Sequence, residues 1–205
     1  MKSLKLLGTM LLIGLTVGFF SKVSFAQPAP PPMMPNYAVT YFSGNSLVHP
    51  DETLRVINIG AVGDVDLPTG DICVNVYVFD AAQELQECCS CPVSANGMLT
   101  YSVQSNLTAN SLTGTSPTTG VIKVTASLVP PTGCSAETPG TLPSVDVLAA
   151  WMSHLNPAPS GISVTEDELA TRPLSPSEAA DLIQDCSDAI ELGSGKATCT
   201  CPPAA

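Results

Sequence analysis

The fold is decided within residues 71–100, DICVNVYVFDAAQELQECCSCPVSANGMLT. Residues 72–79 form an apolar, strand-like run that contains Cys73, and Cys88, Cys89 and Cys91 cluster after a short polar link. Val and aromatic residues favour strands, and both faces of this run are largely apolar, which is typical of a central strand covered on both sides. With a Pro-ended turn after the cluster, the stretch predicts covalently stapled β-structure.

Residues 1–26 have the pattern of a secretory signal peptide. Two lysines give a positive start, an apolar run follows, and Ser24 and Ala26 supply the small residues of a cleavage site before Gln27. The competing interpretation is a membrane anchor, but polar residues interrupt the run before it reaches the ~20 apolar residues that a span needs. We therefore expect a secreted or periplasmic protein with no membrane span after cleavage.

The charge of the chain excludes one class of partner. The 205 residues carry a formal net charge of −11 at pH 7. After the predicted cleavage, the remaining basic residues are Arg55, Lys123, Arg172 and Lys196, against 18 acidic ones. Nucleic-acid affinity depends on basic residues that neutralise phosphates, so we exclude nucleic-acid binding. An acidic surface suits an extracellular protein.

All eight cysteines follow the predicted cleavage site, and an even number in an oxidising compartment predicts disulfides. Two local groups are expected: Cys73 with the cluster that follows it, and Cys186 with Cys199 or Cys201. Cys134 would pair with whichever cysteine remains, and the connectivity stays open. The predicted disulfide residues are Cys73, Cys88, Cys89, Cys91, Cys134, Cys186, Cys199 and Cys201.

Metal binding is the alternative use of the clustered cysteines. Their CxC spacing suits copper(I) better than zinc, but oxidising surroundings work against free thiolates, so disulfides are favoured. A separate loop with Asp64, Asp66 and Asp71 could present three carboxylates to a hard cation such as calcium. Solvated carboxylates are the favoured interpretation of that loop. We therefore assign no cofactor and no metal ligand.

Strand-like runs separated by Gly and Pro turns occupy residues 37–130, after a Pro-rich spacer at 27–36. Their near-regular spacing predicts a mainly β, Ig-like sandwich. The predicted strands are 37–42, 53–59, 72–79, 99–103 and 121–128. The predicted core residues, on this and the following segment, are Val56, Ile57, Val74, Val76, Tyr77, Val78, Phe79, Leu99, Val121, Ile122, Val124, Leu148, Trp151, Leu182 and Ile183.

Residues 131–205 are expected to form a C-terminal hairpin and one short α-helix packed on the sandwich. Periodicity allows residues 145–155 to be helix or strand, and the turn at 156–161 favours a strand, so the hairpin strands would be 145–155 and 162–164. Ser175 and the Pro after it begin the helix with a capping box, and Gly193 ends it. A second capping-box pattern at Thr165 predicts one or two further helical turns.

Only His49 and His154 could act as a near-neutral base, and neither lies in a recognisable catalytic motif. We therefore predict a non-catalytic structural, adhesion or binding module, whose partner is an extracellular or periplasmic protein or glycan. One alternative is a metal-handling protein that uses the cysteine clusters. A second is a secreted hydrolase, which would need one of these histidines in a pocket with a Ser and a carboxylate.

Four segments also resemble a family of uncharacterised secreted bacterial proteins: VYVFDAAQELQECCSCPVSANGMLTYSV, GVIKVTAS, LAAWMSHL and LSPSEAADLIQDC with the tail GSGKATCTC. The resemblance covers most of the predicted mature chain, with a departure at residues 195–197. It implies bacterial export and one co-folded unit. It carries over no activity, cofactor or catalytic residue.

Overall fold

The computed structural model describes residues 36–44, 50–60, 70–143 and 146–203. In these ranges two antiparallel β-sheets pack as a sandwich, with one C-terminal helix and four disulfides. The prediction of a mainly β, disulfide-stabilised sandwich with a C-terminal hairpin and one helix is confirmed. The predicted signal peptide, His49, Asp64 and Asp66 lie outside the described residues.

The elements follow one another as nine strands and one helix in the described ranges. They are β1 (Asn36–Phe42), β2 (Thr53–Asn58), β3 (Ile72–Asp80), β4 (Leu85–Val93), β5 (Met98–Ser102), β6 (Gly120–Leu128), β7 (Leu148–Ala158), β8 (Gly161–Glu168), β9 (Thr171–Pro173) and α1 (Pro176–Gly193), with a π-helical turn, Val103–Leu107, after β5. The first sheet has the order β4-β3-β6-β1-β9, and the second has the order β5-β2-β7-β8.

The strand β3 is buried on both faces because each face meets a different layer. Val74, Val76 and Val78 belong to the core between the two sheets. Tyr77 and Phe79 face the opposite side, where they pack in a second apolar cluster with residues of α1. This is the alternation that the sequence predicts for a doubly covered strand.

The last three residues of the polar link and the cysteine cluster belong to the nine-residue strand β4. The sequence did not predict this strand because Gln86 and Glu87 are polar residues. Both side chains are nevertheless buried and hydrogen-bonded. The amide of Gln86 donates to Asp80 Oδ2 at 2.9 Å, and its Oε1 accepts from the Thr113 hydroxyl at 3.1 Å. Pro92 is tolerated because β4 is the outermost strand in the sheet order.

The disulfides are Cys73–Cys134, Cys88–Cys186, Cys89–Cys199 and Cys91–Cys201. The predicted local groups are wrong. Cys73 does not pair with the cluster that follows it, and Cys186 pairs with neither Cys199 nor Cys201. The bonds span 61 to 110 residues of sequence. The reason is that the C-terminal tail, residues 197–203, returns to lie beside β4.

The C-terminal tail runs parallel to β4. The Cys88 N–H donates to Ala197 O at 2.9 Å, and the Cys199 N–H donates to Cys88 O at 3.2 Å. The two CxC motifs are therefore in register, with each of their two disulfides spanning 110 residues. Since successive side chains alternate in a strand, Cys88 points to the opposite face and bonds to Cys186 of α1.

The other side of the C-terminal tail binds the segment that follows β5. The Ala197 N–H donates to Asn110 O at 2.7 Å, and the Thr200 N–H donates to Asn106 O at 2.9 Å. The tail thus lies between β4 of the first sheet and the π-helical turn that continues the second sheet. It closes this side of the sandwich.

The helix α1 begins where the sequence predicts. Ser175 Oγ accepts the Glu178 N–H at 3.1 Å, and Pro176 is the first helical residue. The Glu178 carboxylate does not return to the cap but pairs with Lys123 of β6. The helix also includes Gly193, and the left-handed residue that ends it is Ser194, with φ of 50°.

The predicted hairpin is longer than expected, because its turn contains only residues 159–160. Asn156 and Pro157 extend β7, and Thr165 to Glu168 extend β8. The predicted helical turns at Thr165 are therefore wrong. Pairing with β7 supplies these residues with backbone partners, which outweighs the local capping-box pattern.

Most of the predicted core is buried, and five of its members are only partly so. Outer faces of the sheets and the flank of α1 stay in contact with solvent, whereas the inner faces do not. The partly exposed residues are Ile57, Phe79, Val121, Trp151 and Ile183.

We predict that the two CxC disulfides stabilise the protein non-additively, so that removing one costs less than removing the second after it. With Cys89–Cys199 intact, Cys91–Cys201 closes a loop of only a few residues, so Cys91→Ala with Cys201→Ala should cost about 2 kcal/mol. Removal of both disulfides by four Ala substitutions should cost about 5 kcal/mol, because the tail is then held only through Cys186. Guanidinium unfolding checks this. A loss of about 5 kcal/mol from the variant with only Cys91→Ala and Cys201→Ala would contradict the in-register pairing of the tail with β4.

Candidate functional site

The strand β8 is the last strand of the second sheet, and its outer backbone groups have no partner among the described residues. The Leu169 N–H donates to Ala150 O at 2.8 Å, which makes this pair hydrogen-bonded. Hydrogen-bonded and non-hydrogen-bonded pairs alternate in an antiparallel ladder. The residues of β8 whose N–H and C=O groups point away from β7 are therefore Ile162, Val164, Glu166 and Glu168; we call these groups the β8 edge.

Two features of the β7–β8 hairpin agree with this assignment. Pro157, which lacks an N–H, lies opposite Ile162, where the ladder needs no donor. The hairpin closes at Ala158 and Gly161, and Gly161 has a φ of 141° that a side chain would disfavour.

The other three sheet edges in the described ranges are short or covered. The C-terminal tail covers β4. The strand β9 has three residues and ends in Pro173, and a Pro removes an edge donor. The strand β5 has five residues and passes into the π-helical turn. By contrast, β8 has eight residues, all of them exposed.

The outer face of β8 is divided into an apolar half and an acidic half. Ile162 and Val164 are 57% and 58% exposed, and they lie beside Pro157 and Leu155 of β7. Glu166 and Glu168 follow on the same face, because side chains alternate along a strand.

An ion pair on the outer face fixes the acidic half of β8 to the sheet. Arg55 Nη1 donates to Glu166 Oε1 at 2.8 Å and to Ser153 Oγ at 2.7 Å, and the Ser153 hydroxyl donates to the same Oε1 at 2.9 Å. The three residues lie on the adjacent strands β2, β7 and β8. This ion pair is partly exposed, so it adds little to the free energy of unfolding and serves mainly to position the hairpin.

On the inner face, a buried histidine links β8 to the sandwich. His154 Nδ1 is 3.2 Å from Glu52 Oε1, and the other oxygen of Glu52 accepts the Ser43 N–H at 3.2 Å. His154 Nε2 is 3.8 Å from Asp167 Oδ2. The ring of Tyr41 stacks on the imidazole with centroids 4.4 Å apart. This group joins β1, β7 and β8.

The arrangement around His154 does not resemble a hydrolytic centre. A general base must direct a ring nitrogen at the hydroxyl or water that it activates. Both nitrogens of His154 face carboxylates, from Glu52 and Asp167, and the residue is 2% exposed. The hydrolase alternative therefore gains no support from His154, and His49 lies outside the described residues.

The cysteines serve as crosslinks rather than as ligands. All eight are bonded in disulfides, so they offer no thiolate to a metal, and the metal-handling alternative is contradicted. The described ranges contain no cluster of three or more metal-ligating side chains. Asp71 is exposed just before β3, while its predicted companions Asp64 and Asp66 fall outside these ranges.

Glu87 is a buried carboxyl on β4 that sequence analysis missed. Its Oε1 accepts the Asn110 N–H at 2.6 Å and the Ser111 hydroxyl at 3.2 Å. Its Oε2 has no hydrogen-bond partner in the described part of the chain. Burial raises the pKa of Glu87 to about 7, against the lowering effect of these two hydrogen bonds. The side-chain amide of Asn110 also donates to Thr198 O of the C-terminal tail at 3.3 Å. Glu87 therefore helps to hold the tail against β4.

Shallow clefts surround these elements. One of about 480 Å³ lies at the base of the hairpin and is lined by residues that include Asp146, Leu148 and Glu168. The Asp146 carboxylate accepts a hydrogen bond from the Thr171 hydroxyl at 2.9 Å. The cleft is wide open, so it is better suited to a contact surface than to an enclosed ligand site.

Among the described residues no helix is both long and apolar enough to cross a bilayer. The four disulfides indicate an oxidising, extracellular type of environment. Comparison of the chain with protein-family models, curated proteins and solved structures gave no match.

We predict that Glu87 makes the protein less stable as the pH rises. A carboxyl whose pKa is raised on folding binds its proton more tightly in the folded state, so stability falls between about pH 4.5 and pH 7. The substitution Glu87→Gln mimics the protonated form. The stability advantage of this variant over the wild type should widen by about 2 kcal/mol between pH 5 and pH 8.

Urea unfolding at both pH values measures this difference, and Glu191→Gln on the exposed side of α1 is the matched control. If the free energies of unfolding of Glu87→Gln and the wild type differ by the same amount at both pH values, the raised pKa of the buried Glu87 is contradicted.

Proposed function

We propose that the protein is an exported, non-catalytic binding module of bacterial origin and that the β7–β8 hairpin is its recognition element. The signal-peptide pattern and the family resemblance support export, and the four disulfides agree with it. The same features fit a protein that works in the periplasm or outside the cell.

The observation that carries the proposal is the β8 edge. An uncovered edge strand exposes a row of backbone donors and acceptors, and natural proteins usually cover or interrupt such strands. The described part of this chain covers β4 with a disulfide-bonded tail, yet its eight-residue β8 stays uncovered. An exposed edge of this kind can receive an added strand from a partner.

The buried and surface contacts around the hairpin suit this role. Arg55 holds the outer face of β8 at Glu166, and the pair of Glu52 and His154 lies beneath its inner face, near Asp167. A recognition strand that is positioned before binding loses less conformational freedom when the partner arrives. The hairpin is therefore suited to recognition of a partner in an extended conformation.

Site-specific photo-crosslinking in the native host tests the proposal. A benzophenone amino acid is placed at Ile162 on β8 or at Leu192 on α1, which is 75% exposed. We expect a discrete crosslinked species of higher mass from position 162 and none from position 192, with both proteins recovered in the exported fraction. An absence of crosslinks from 162, equal crosslinks from both positions, or retention in the cytoplasm would contradict it.

A further inference from the structure

We propose that the partner received by the β8 edge is an extended polypeptide segment with a basic half followed by an apolar half, added antiparallel to β8. This inference rests on the proposed function and names its class of partner. It is carried by three observations: the direction of the backbone groups, the order of side chains along β8 and the charge of the chain.

The backbone sets the register of the added strand. The four outward residues, Ile162, Val164, Glu166 and Glu168, would each exchange two hydrogen bonds with the partner residue directly opposite. An antiparallel strand starts opposite Glu168 and ends opposite Ile162. We choose the antiparallel direction because all nine strands pair antiparallel, although the C-terminal tail lies parallel to β4, and because antiparallel pairs are slightly more stable per residue.

The side chains of β8 then specify the partner's composition. Opposite Glu168, Asp167 and Glu166 the partner meets three consecutive carboxylates, and basic residues complement them across neighbouring strands. Glu166 is already paired with Arg55, so the attraction comes mainly from Glu168 and Asp167. Opposite Val164 and Ile162 it meets exposed apolar side chains, which favour β-branched or other apolar residues. The matching sequence is Lys-Lys-Lys-Thr-Val-Thr-Val, with Thr opposite Thr165 and Ser163.

The acidic residues of β8 do more than keep the edge soluble. Charged side chains are one device that keeps an edge strand from pairing, but here they are confined to one half of β8, and Ile162 and Val164 in the other half are over half exposed. A second copy of this chain is a poorer occupant, because it would bring one acidic strand and one strongly acidic protein against another.

The test measures binding of the acetylated, amidated heptapeptide Lys-Lys-Lys-Thr-Val-Thr-Val by fluorescence anisotropy. A methyl group on the backbone nitrogen of its fifth residue, opposite Val164, removes a donor that faces β8. The same methyl group on the fourth residue, opposite Thr165, faces away. We expect the first methylation to weaken binding at least about tenfold and the second to change it less than about twofold.

Two matched protein variants test the same register. Val164→Pro removes an outward donor from β8 and leaves the bonds to β7 in place, so it should weaken binding at least about tenfold. Glu168→Lys should weaken it more than Glu191→Lys, which makes the same charge change on α1. A reversed peptide, Val-Thr-Val-Thr-Lys-Lys-Lys, should bind more weakly because it places Val against the carboxylates. Near-unchanged thermal unfolding of each variant shows that the fold is retained.

Equal effects of the two methylations would overturn the proposal, because they would reduce the binding to general attraction between charges. Stronger binding of an acidic peptide, or a dimer of the protein that Val164→Pro dissolves, would also overturn it. If position 162 crosslinks in the host while no heptapeptide binds, the hairpin is a recognition element and the partner class is wrong. If both fail, the proposed function fails as well.

Discussion

The pairing of β4 with the C-terminal tail is the constraint on which the other features depend. Two CxC motifs lie side by side in a parallel register, and each of the two disulfides between them spans 110 residues. The third cysteine of the cluster, Cys88, uses the alternate face of the strand to bind α1. The strand β4 thus ties the tail, the helix and the first sheet together. The tail also bonds to the segment after β5, so the two sheets are joined on that side.

The opposite side of the sandwich is organised by polar contacts instead of by disulfides. Tyr41, Glu52 and His154 hold β1 against β7, and Asp167 brings β8 near the same group. Beyond this contact lie β8 at the edge of the second sheet and the three-residue β9 at the edge of the first. The contrast between a covalently closed side and an open hairpin is the structural basis for proposing recognition by β8, since a rigid scaffold lowers the cost of presenting an edge strand.

The sequence could predict the class of fold because its strands alternate in the usual way and its helix has a strong cap. It could not predict β4, because Gln86 and Glu87 look polar and are buried only through partners distant in sequence. The cysteine pairing was missed for the same reason, although the matching CxC spacings at 89–91 and 199–201 were a usable signal for two strands in register. The β8 edge was hidden by a capping-box pattern at Thr165, which strand pairing overrides.

Amide hydrogen exchange measured residue by residue by NMR tests the central claim most directly. Along β8, the amides of Ser163, Thr165 and Asp167 should exchange slowly, while those of Ile162, Val164, Glu166 and Glu168 exchange at nearly the rate of an unfolded chain. In the C-terminal tail, the amides of Ala197, Cys199 and Thr200 should be protected. Uniform protection along β8, or rapid exchange throughout the tail, would contradict a sandwich closed at β4 and open at β8.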